Sequence, residues 1–185
     1  MILLIPEYLS IFGYAMKNDQ LHKLVFSLGS NQGDRVENLG QARRQIELCL
    51  GKAILISSIY ETEPWGFEAP DAFLNQALMI ESTMDPDEVL NAVQKIEEEM
   101  GRERILNFYT SRVIDIDIIF CDHLSINQPD LIIPHPLMQL RKFVLIPLNE
   151  IMPDFIHPVF KTTIAQMLDQ CEDTLRVELL QANEV

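Results

Sequence analysis

The sequence predicts an α+β domain of ferredoxin-like βαββαβ order: an antiparallel sheet with its helices on one face, plus a C-terminal elaboration. Three observations predict it. Two segments carry apolar residues at three-to-four spacing, four short segments are rich in β-formers, and these six follow one another as β-α-β-β-α-β. The 185 residues suffice for one well-buried domain and are few for two.

Residues 24–28, LVFSL, read as a strand that runs into the turn Gly29-Ser30-Asn31-Gln32-Gly33-Asp34. From Arg35 onward Val36, Leu39, Ala42, Ile46 and Leu50 mark one face of a helix, capped by Asp34 and stopped by Gly51. Residues 53–59 read as a second strand. Residues 61–71 hold Pro64, Gly66 and Pro70 and read as a loop, followed by a third strand at 72–81. Asp85, Pro86 and Glu88 form a helix-start signal, because proline at the first helical position loses no hydrogen bond. Val89, Leu90, Val93, Ile96 and Met100 carry that helix to Gly101. Residues 113–120, VIDIDIIF, alternate in period two and supply the fourth strand, with Ile114, Ile116, Ile118 and Phe120 facing the core. Beyond residue 121 come Pro-rich connections (Pro129, Pro134, Pro136, Pro147, Pro153, Pro158), a helix near 163–171 and a strand at 176–180.

The formal net charge of -14, from 28 acidic and 14 basic residues, argues against nucleic acid and anionic membranes, which are bound by clustered Lys and Arg. Cys49, Cys121 and Cys171 are odd in number and widely spaced, so neither a disulfide framework nor a zinc site is expected, and a cytoplasmic setting fits. Residues 1–20 are expected to be an extension, either non-native, with Met16 as the true start, or poorly ordered. Their apolar stretch has no leading basic residue and is broken by Pro6 and Glu7, which suits neither a signal peptide nor a membrane span. Residues 21–185 form the functional domain.

Asp115-Ile116-Asp117 is the sharpest chemical feature. Strand residues two apart share a face, roughly 7 Å apart, so the two carboxylates stand side by side. Hard oxygen pairs of this kind suit Mg2+, although on spacing alone a solvated strand face fits as well. Arg102, Arg104 and Arg112 lead into the motif, and guanidinium groups bind phosphate oxygens. Residues 53–94 hold eight acids and no Lys or Arg, whereas Arg102, Arg104, Arg112, Arg141 and Lys142 crowd the next stretch. That segregation favours a local anion site on an acidic protein. Asn75 lies on an apolar strand near Trp65, Phe67 and Phe73, and a buried amide there needs partners. It could tie a neighbouring loop or read the edge of a heterocycle. Gln94 and Glu97 share a helix face, and His135 sits rigidly between Pro134 and Pro136.

These residues together resemble the 6-hydroxymethyl-7,8-dihydropterin pyrophosphokinase family. The resemblance spans about residues 24–179 and rests on Ser27-Leu28-Gly29-Ser30-Asn31, Ser57-Ser58-Ile59-Tyr60-Glu61-Thr62-Glu63-Pro64, Phe73-Leu74-Asn75, Gln94-Lys95-Ile96-Glu97, Gly101-Arg102-Glu103-Arg104, Ser111-Arg112-Val113-Ile114-Asp115-Ile116-Asp117 and Ile133-Pro134-His135-Pro136 with Arg141-Lys142-Phe143. It implies pyrophosphoryl transfer from ATP to a pterin hydroxymethyl group in folate biosynthesis. It implies two Mg2+ ions on Asp115 and Asp117, with Arg102 and Arg112 catalytic beside them. It implies ATP contacts from Gln94, Glu97, Arg102, Arg104, Arg112, His135 and Arg141. The pterin slot would be formed by Thr62, Glu63, Trp65, Phe73 and Asn75, with Phe143 on one ring face and Tyr109 opposite. The chain departs from many members at Phe108, Tyr109, Thr110 and Ser111, where a basic residue, a tryptophan and Gly-Pro are common, so this loop is less basic. The partners implied are ATP and the pterin, with no nucleic acid and no membrane, for a monomer. The competing readings are a non-enzymatic ferredoxin-like sensor or RNA-recognition module, and a metal-dependent phosphohydrolase.

Overall fold

The computed structural model describes residues 20–66, 71–102 and 111–181. The first expected strand is β1, His22–Ser30, followed by α1, Arg35–Cys49, and β2, Lys52–Ile56. Next come β3, Tyr60–Thr62, β4, Phe73–Ser82, α2, Pro86–Glu99, and β5, Asp115–Cys121. The main sheet runs β5-β1-β4, with β2 and β3 both pairing β4, and every pairing is antiparallel. This is the expected βαββαβ order, with β1 and β4 at the centre.

Local chemistry sets the helix starts. Asp34 Oδ1 accepts from Glu37 N at 3.0 Å, and Glu88 Oε2 accepts from Asp85 N at 3.1 Å. The apolar stripe of α1 (Leu39, Ala42, Ile46) and that of α2 (Val89, Val93, Ile96) bury against Leu24, Phe26, Leu28, Leu74, Leu78 and Ile80 of the sheet. Each such Val, Leu, Ile or Phe side chain contributes about 1.5–3 kcal/mol on burial.

The structure departs from the sequence reading in three places. First, residues 53–62 do not form one strand and a loop. Ser57 Oγ accepts from Ala77 N at 2.9 Å in place of a backbone partner, and Ser58 N donates to Glu150. The ladder therefore breaks after β2 and resumes as β3. Second, Phe120 does not share the face of Ile114, Ile116 and Ile118. The β1–β5 register shifts between Val25 and Phe26, so Val25 pairs Phe120 and Phe26 pairs Ile118. This bulge turns Phe120 to the second face, beside Ile119.

Third, residues 142–151 are a helix. Here the C-terminal elaboration reaches both faces: its two helices cover the second sheet face, while Leu131 and Ile133 of its hairpin join the helix-side core. It comprises the hairpin β6, Ile126–Asn127, with β7, Ile132–Ile133, then α3, Lys142–Ile151, α4, Ile164–Asp169, and β8, Val177–Leu179, which extends the sheet by pairing β3. Val144, Leu145 and Leu148 of α3 pack on Val25, Ala77, Met79, Ile119 and Phe120. Pro147 lies inside α3. It removes one helix hydrogen bond, and the burial of α3's apolar side chains outweighs that loss. No helix among the described residues is long and apolar enough to cross a membrane.

Candidate active site

The second sheet face is divided. Its apolar half lies under α3, while its polar half is the floor of a cleft. The strand register builds that floor in rows. Gly29 of β1 lies between Asn75 of β4 and Asp115 of β5, and Ser27 lies between Ala77 and Asp117. The middle strand offers only small residues here, which leaves room between the amide and the carboxylates. A Cβ at Gly29 would stand 3.3 Å from Asn75 Oδ1. Ser27 and Gly29 were not singled out from the sequence as site residues, though they belong to the Ser27-Leu28-Gly29-Ser30-Asn31 run.

Ten of the sequence candidates line this cleft: Thr62, Glu63, Trp65, Phe73, Asn75, Arg112, Asp115, Asp117, Arg141 and Phe143. Asn75 is buried and its Nδ2 donates to Thr62 Oγ1 at 2.7 Å, which leaves the amide oxygen toward Gly29. The Arg141 guanidinium lies 4.8 Å from the Trp65 ring centroid and 5.8 Å from that of Phe143. It therefore fills the space between the two aromatics by cation–π contact.

The carboxylates are treated unequally. Asp115 is held through Oδ1 by Arg102 and through Oδ2 by Arg112, both at 2.7 Å. Asp117 has Arg141 Nη1 at 3.9 Å and the His135 imidazole Nε2 at 4.0 Å. Burial in the cleft, and then the charge of Asp115, push the Asp117 carboxyl up to about 7. This pair of hard oxygen donors is short of positive charge at Asp117, which fits a divalent cation.

Behind Asp115 stands Glu97, 3% exposed and bonded to Arg102. Its Oε1 accepts from Ile116 N at 2.8 Å. Burial pushes its carboxyl up, Arg102 pulls it down, and the net shift is upward. For Arg102, burial works against the charge, but Asp115 and Glu97 outweigh it and hold its pKa above the usual value. Glu97 and Arg102 thus stand behind Asp115, and neither they nor Gln94 are among the residues lining the first cleft. The shared helix face of Gln94 and Glu97 did not foretell that Glu97 is buried and holds the Ile116 N–H.

His135 lines a second cleft, with Leu90, Ile116, Ile118, Leu131 and Ile132 among its walls. Asp117 lines both clefts. Burial, and then Arg141, lower the His135 imidazole to about 4, so it is neutral at physiological pH.

Asn31 was legible only as part of a turn, yet it is buried and joins two loop ends. Its Oδ1 accepts from Arg112 N at 2.7 Å, and its Nδ2 donates to Ser111 Oγ at 3.0 Å and to the Asp71 carbonyl at 3.5 Å. Arg104, Tyr109, Phe67 and residues 1–19 lie outside the described residues.

Residues 25–153 match the family model of 7,8-dihydro-6-hydroxymethylpterin-pyrophosphokinase. A 2-amino-4-hydroxy-6-hydroxymethyldihydropteridine pyrophosphokinase of Porphyromonas gingivalis is 42% identical over 138 residues, covering 73% of this chain and 93% of the relative. The Aquifex aeolicus protein of the same name is 36% identical over 153 residues, covering 83% and 93%. Among solved structures, wild-type HPPK-DHPS of Plasmodium falciparum with pteroate superposes with a TM-score of 0.69 at 18% identity. That match covers 82% of this chain and 44% of the other, and it supports the fold. The chain belongs to the 7,8-dihydro-6-hydroxymethylpterin-pyrophosphokinase family.

Proposed function

We propose that the chain transfers the pyrophosphoryl group of ATP to the hydroxymethyl group of 6-hydroxymethyl-7,8-dihydropterin, releasing AMP, a step of folate biosynthesis. The observation that carries this reading is the junction of two clefts at Asp117, one walled by aromatics around a buried amide and the other aliphatic beside His135.

In this reading the aromatic cleft takes the pterin. Asn75 and Thr62 meet its polar edge, Glu63, Trp65 and Phe73 flank it, and Phe143 contacts one ring face once Arg141 has moved aside. Tyr109 is the aromatic assigned opposite Phe143. The second cleft takes the nucleoside of ATP, with His135 and Arg141 toward the phosphates. Gln94, Glu97 and Arg104 keep the ATP-side roles that the family resemblance assigns.

Asp115 and Asp117 would hold Mg2+, two ions in this reading. When bound, the metal neutralises phosphate charge and acidifies the attacking hydroxyl. Arg102 and Arg112, which grip Asp115, would stabilise charge on the transferring group. The pterin hydroxyl oxygen bonds to the β-phosphorus, and the bond from that phosphorus to the α–β bridging oxygen breaks. AMP leaves with the bridging oxygen, and the hydroxyl proton passes to solvent. Such transfers ask the protein mainly for positioning and charge neutralisation.

The chain is expected to act as a monomer in the cytoplasm, on small molecules, with neither nucleic acid nor membrane as partner. Asp117→Ala tests the junction. AMP formation should fall by more than about 10²-fold while the circular dichroism spectrum is retained. Near-wild-type turnover in that variant would sink the assignment.

A further inference from the structure

Arg35 lies outside the aromatic cleft, yet its guanidinium ties together the two ends of the segment that carries Glu63 and Trp65. Its Nη1 donates to Glu61 Oε1 at 2.7 Å and to the Ala72 carbonyl at 2.8 Å. Glu61 belongs to β3, and Ala72 immediately precedes β4. The ladder between these strands closes at the pair Thr62–Phe73, and Glu63 and Trp65 follow directly on that root. The ladder has only three pairs and is a weak hinge by itself.

Arg35 is well placed to stiffen it. It is the first residue of α1, whose start is fixed by the Asp34 cap and whose inner face is buried in the core. Glu61 pairs with Leu74, which faces the helix side, while Thr62 pairs with Phe73 on the cleft side. The clamp thus grips the root from behind the sheet, opposite the ligand. Asn31, four residues earlier in the same turn, holds the Arg112 backbone. One β1–α1 turn therefore anchors both cleft walls.

We infer that Arg35 is a positioning residue for the pterin side of the site: by clamping Glu61 to the Ala72 carbonyl it holds Thr62, Trp65 and Phe73 at the separation a flat heterocycle requires. The inference rests on the pterin reading of that cleft. The ion pair is half-exposed, with side-chain exposures of 30% and 40%, so it adds little to overall stability and its loss should act locally.

Trp65 is the single tryptophan of the chain and reports directly on this wall. The experiment compares the full chain with Arg35→Ala and Arg35→Lys by acrylamide quenching of tryptophan fluorescence and by steady-state kinetics in both substrates. Arg35→Ala should increase quenching and raise KM for the pterin about tenfold, the equivalent of one charge-assisted hydrogen bond. The KM for ATP should stay within about twofold. Arg35→Lys, which keeps a cation beside Glu61, should recover part of the loss. Unchanged quenching and pterin KM in folded Arg35→Ala, or equal rises in both KM values, would overturn the inference. Should Arg35→Ala fail to fold, Glu61→Gln removes the ionic half alone, and it should give a smaller rise confined to the pterin; no rise overturns the clamp. A wild-type chain without pterin-dependent AMP release would overturn the functional reading instead, and the quenching comparison still decides the clamp.

Discussion

Glu97 accepts the backbone N–H of Ile116 at 2.8 Å, so a buried helix carboxylate fixes the peptide between the two aspartates. The same carboxylate holds Arg102, whose Nη1 also reaches Asp115. Glu97→Ala should destabilise the fold by about 2–4 kcal/mol, because it strands a buried N–H and half of a guanidinium's bonding. Glu97→Gln keeps an acceptor for Ile116 and should cost about 1 kcal/mol. Urea unfolding of the three proteins checks the order, and equal stability of Glu97→Ala and wild type would contradict it.

Asn75 is the only buried amide on the cleft floor among the described lining residues, and Thr62 holds its orientation. Asn75→Ala should lower kcat/KM for the pterin by about 10–100-fold while leaving KM for ATP nearly unchanged, since a site built to hydrogen-bond a ligand loses that bond outright. Initial rates at varied pterin concentration give the answer.

Much of this was legible beforehand. Asp85, Pro86 and Glu88 announced α2, the period-two run announced β5, and the Asp-x-Asp spacing put both carboxylates on one face. What was not legible has physical causes. Phe120 changed face through a bulge, which no alternation pattern records. α3 was hidden by Pro147, because proline ordinarily signals a connection and the compensating burial of Val144, Leu145 and Leu148 is a tertiary fact. Gly29 and Ser27 became floor residues only once the register set them between Asn75 and the aspartates. Gln94 and Glu97 read only as sharing a helix face, and the burial of Glu97 follows from β5 lying against it.

His157 should make stability fall in mild acid. It is buried, and its Nδ1 accepts from Val159 N and Phe160 N, both at 3.1 Å. Burial, and then Lys161, hold its pKa below the ordinary value. The unfolded chain therefore binds a proton near pH ~6.5 that the folded chain does not, and folding stability drops as pH falls through that value. His157→Asn retains an acceptor at the same place without titrating, so it should flatten the slope between pH 7.5 and 5. An unchanged slope in urea titrations would contradict this.

The three thiols should separate by reactivity. Cys49 is exposed, Cys171 is half-buried, and Cys121 is buried with its thiol pushed up to about 12 by burial and then by Asp122. At pH 8 iodoacetamide should label Cys49 first and leave Cys121 unmodified until the chain is unfolded, because the thiolate is the nucleophile. Peptide mass spectrometry after timed labelling checks the order.

The most direct test of the central claim is AMP release from ATP and Mg2+ with and without 6-hydroxymethyl-7,8-dihydropterin. Formation of AMP that depends on the pterin, in equal amount with pyrophosphorylated pterin and without inorganic phosphate, is the expected result. ADP or inorganic phosphate released equally with and without the pterin would contradict the account.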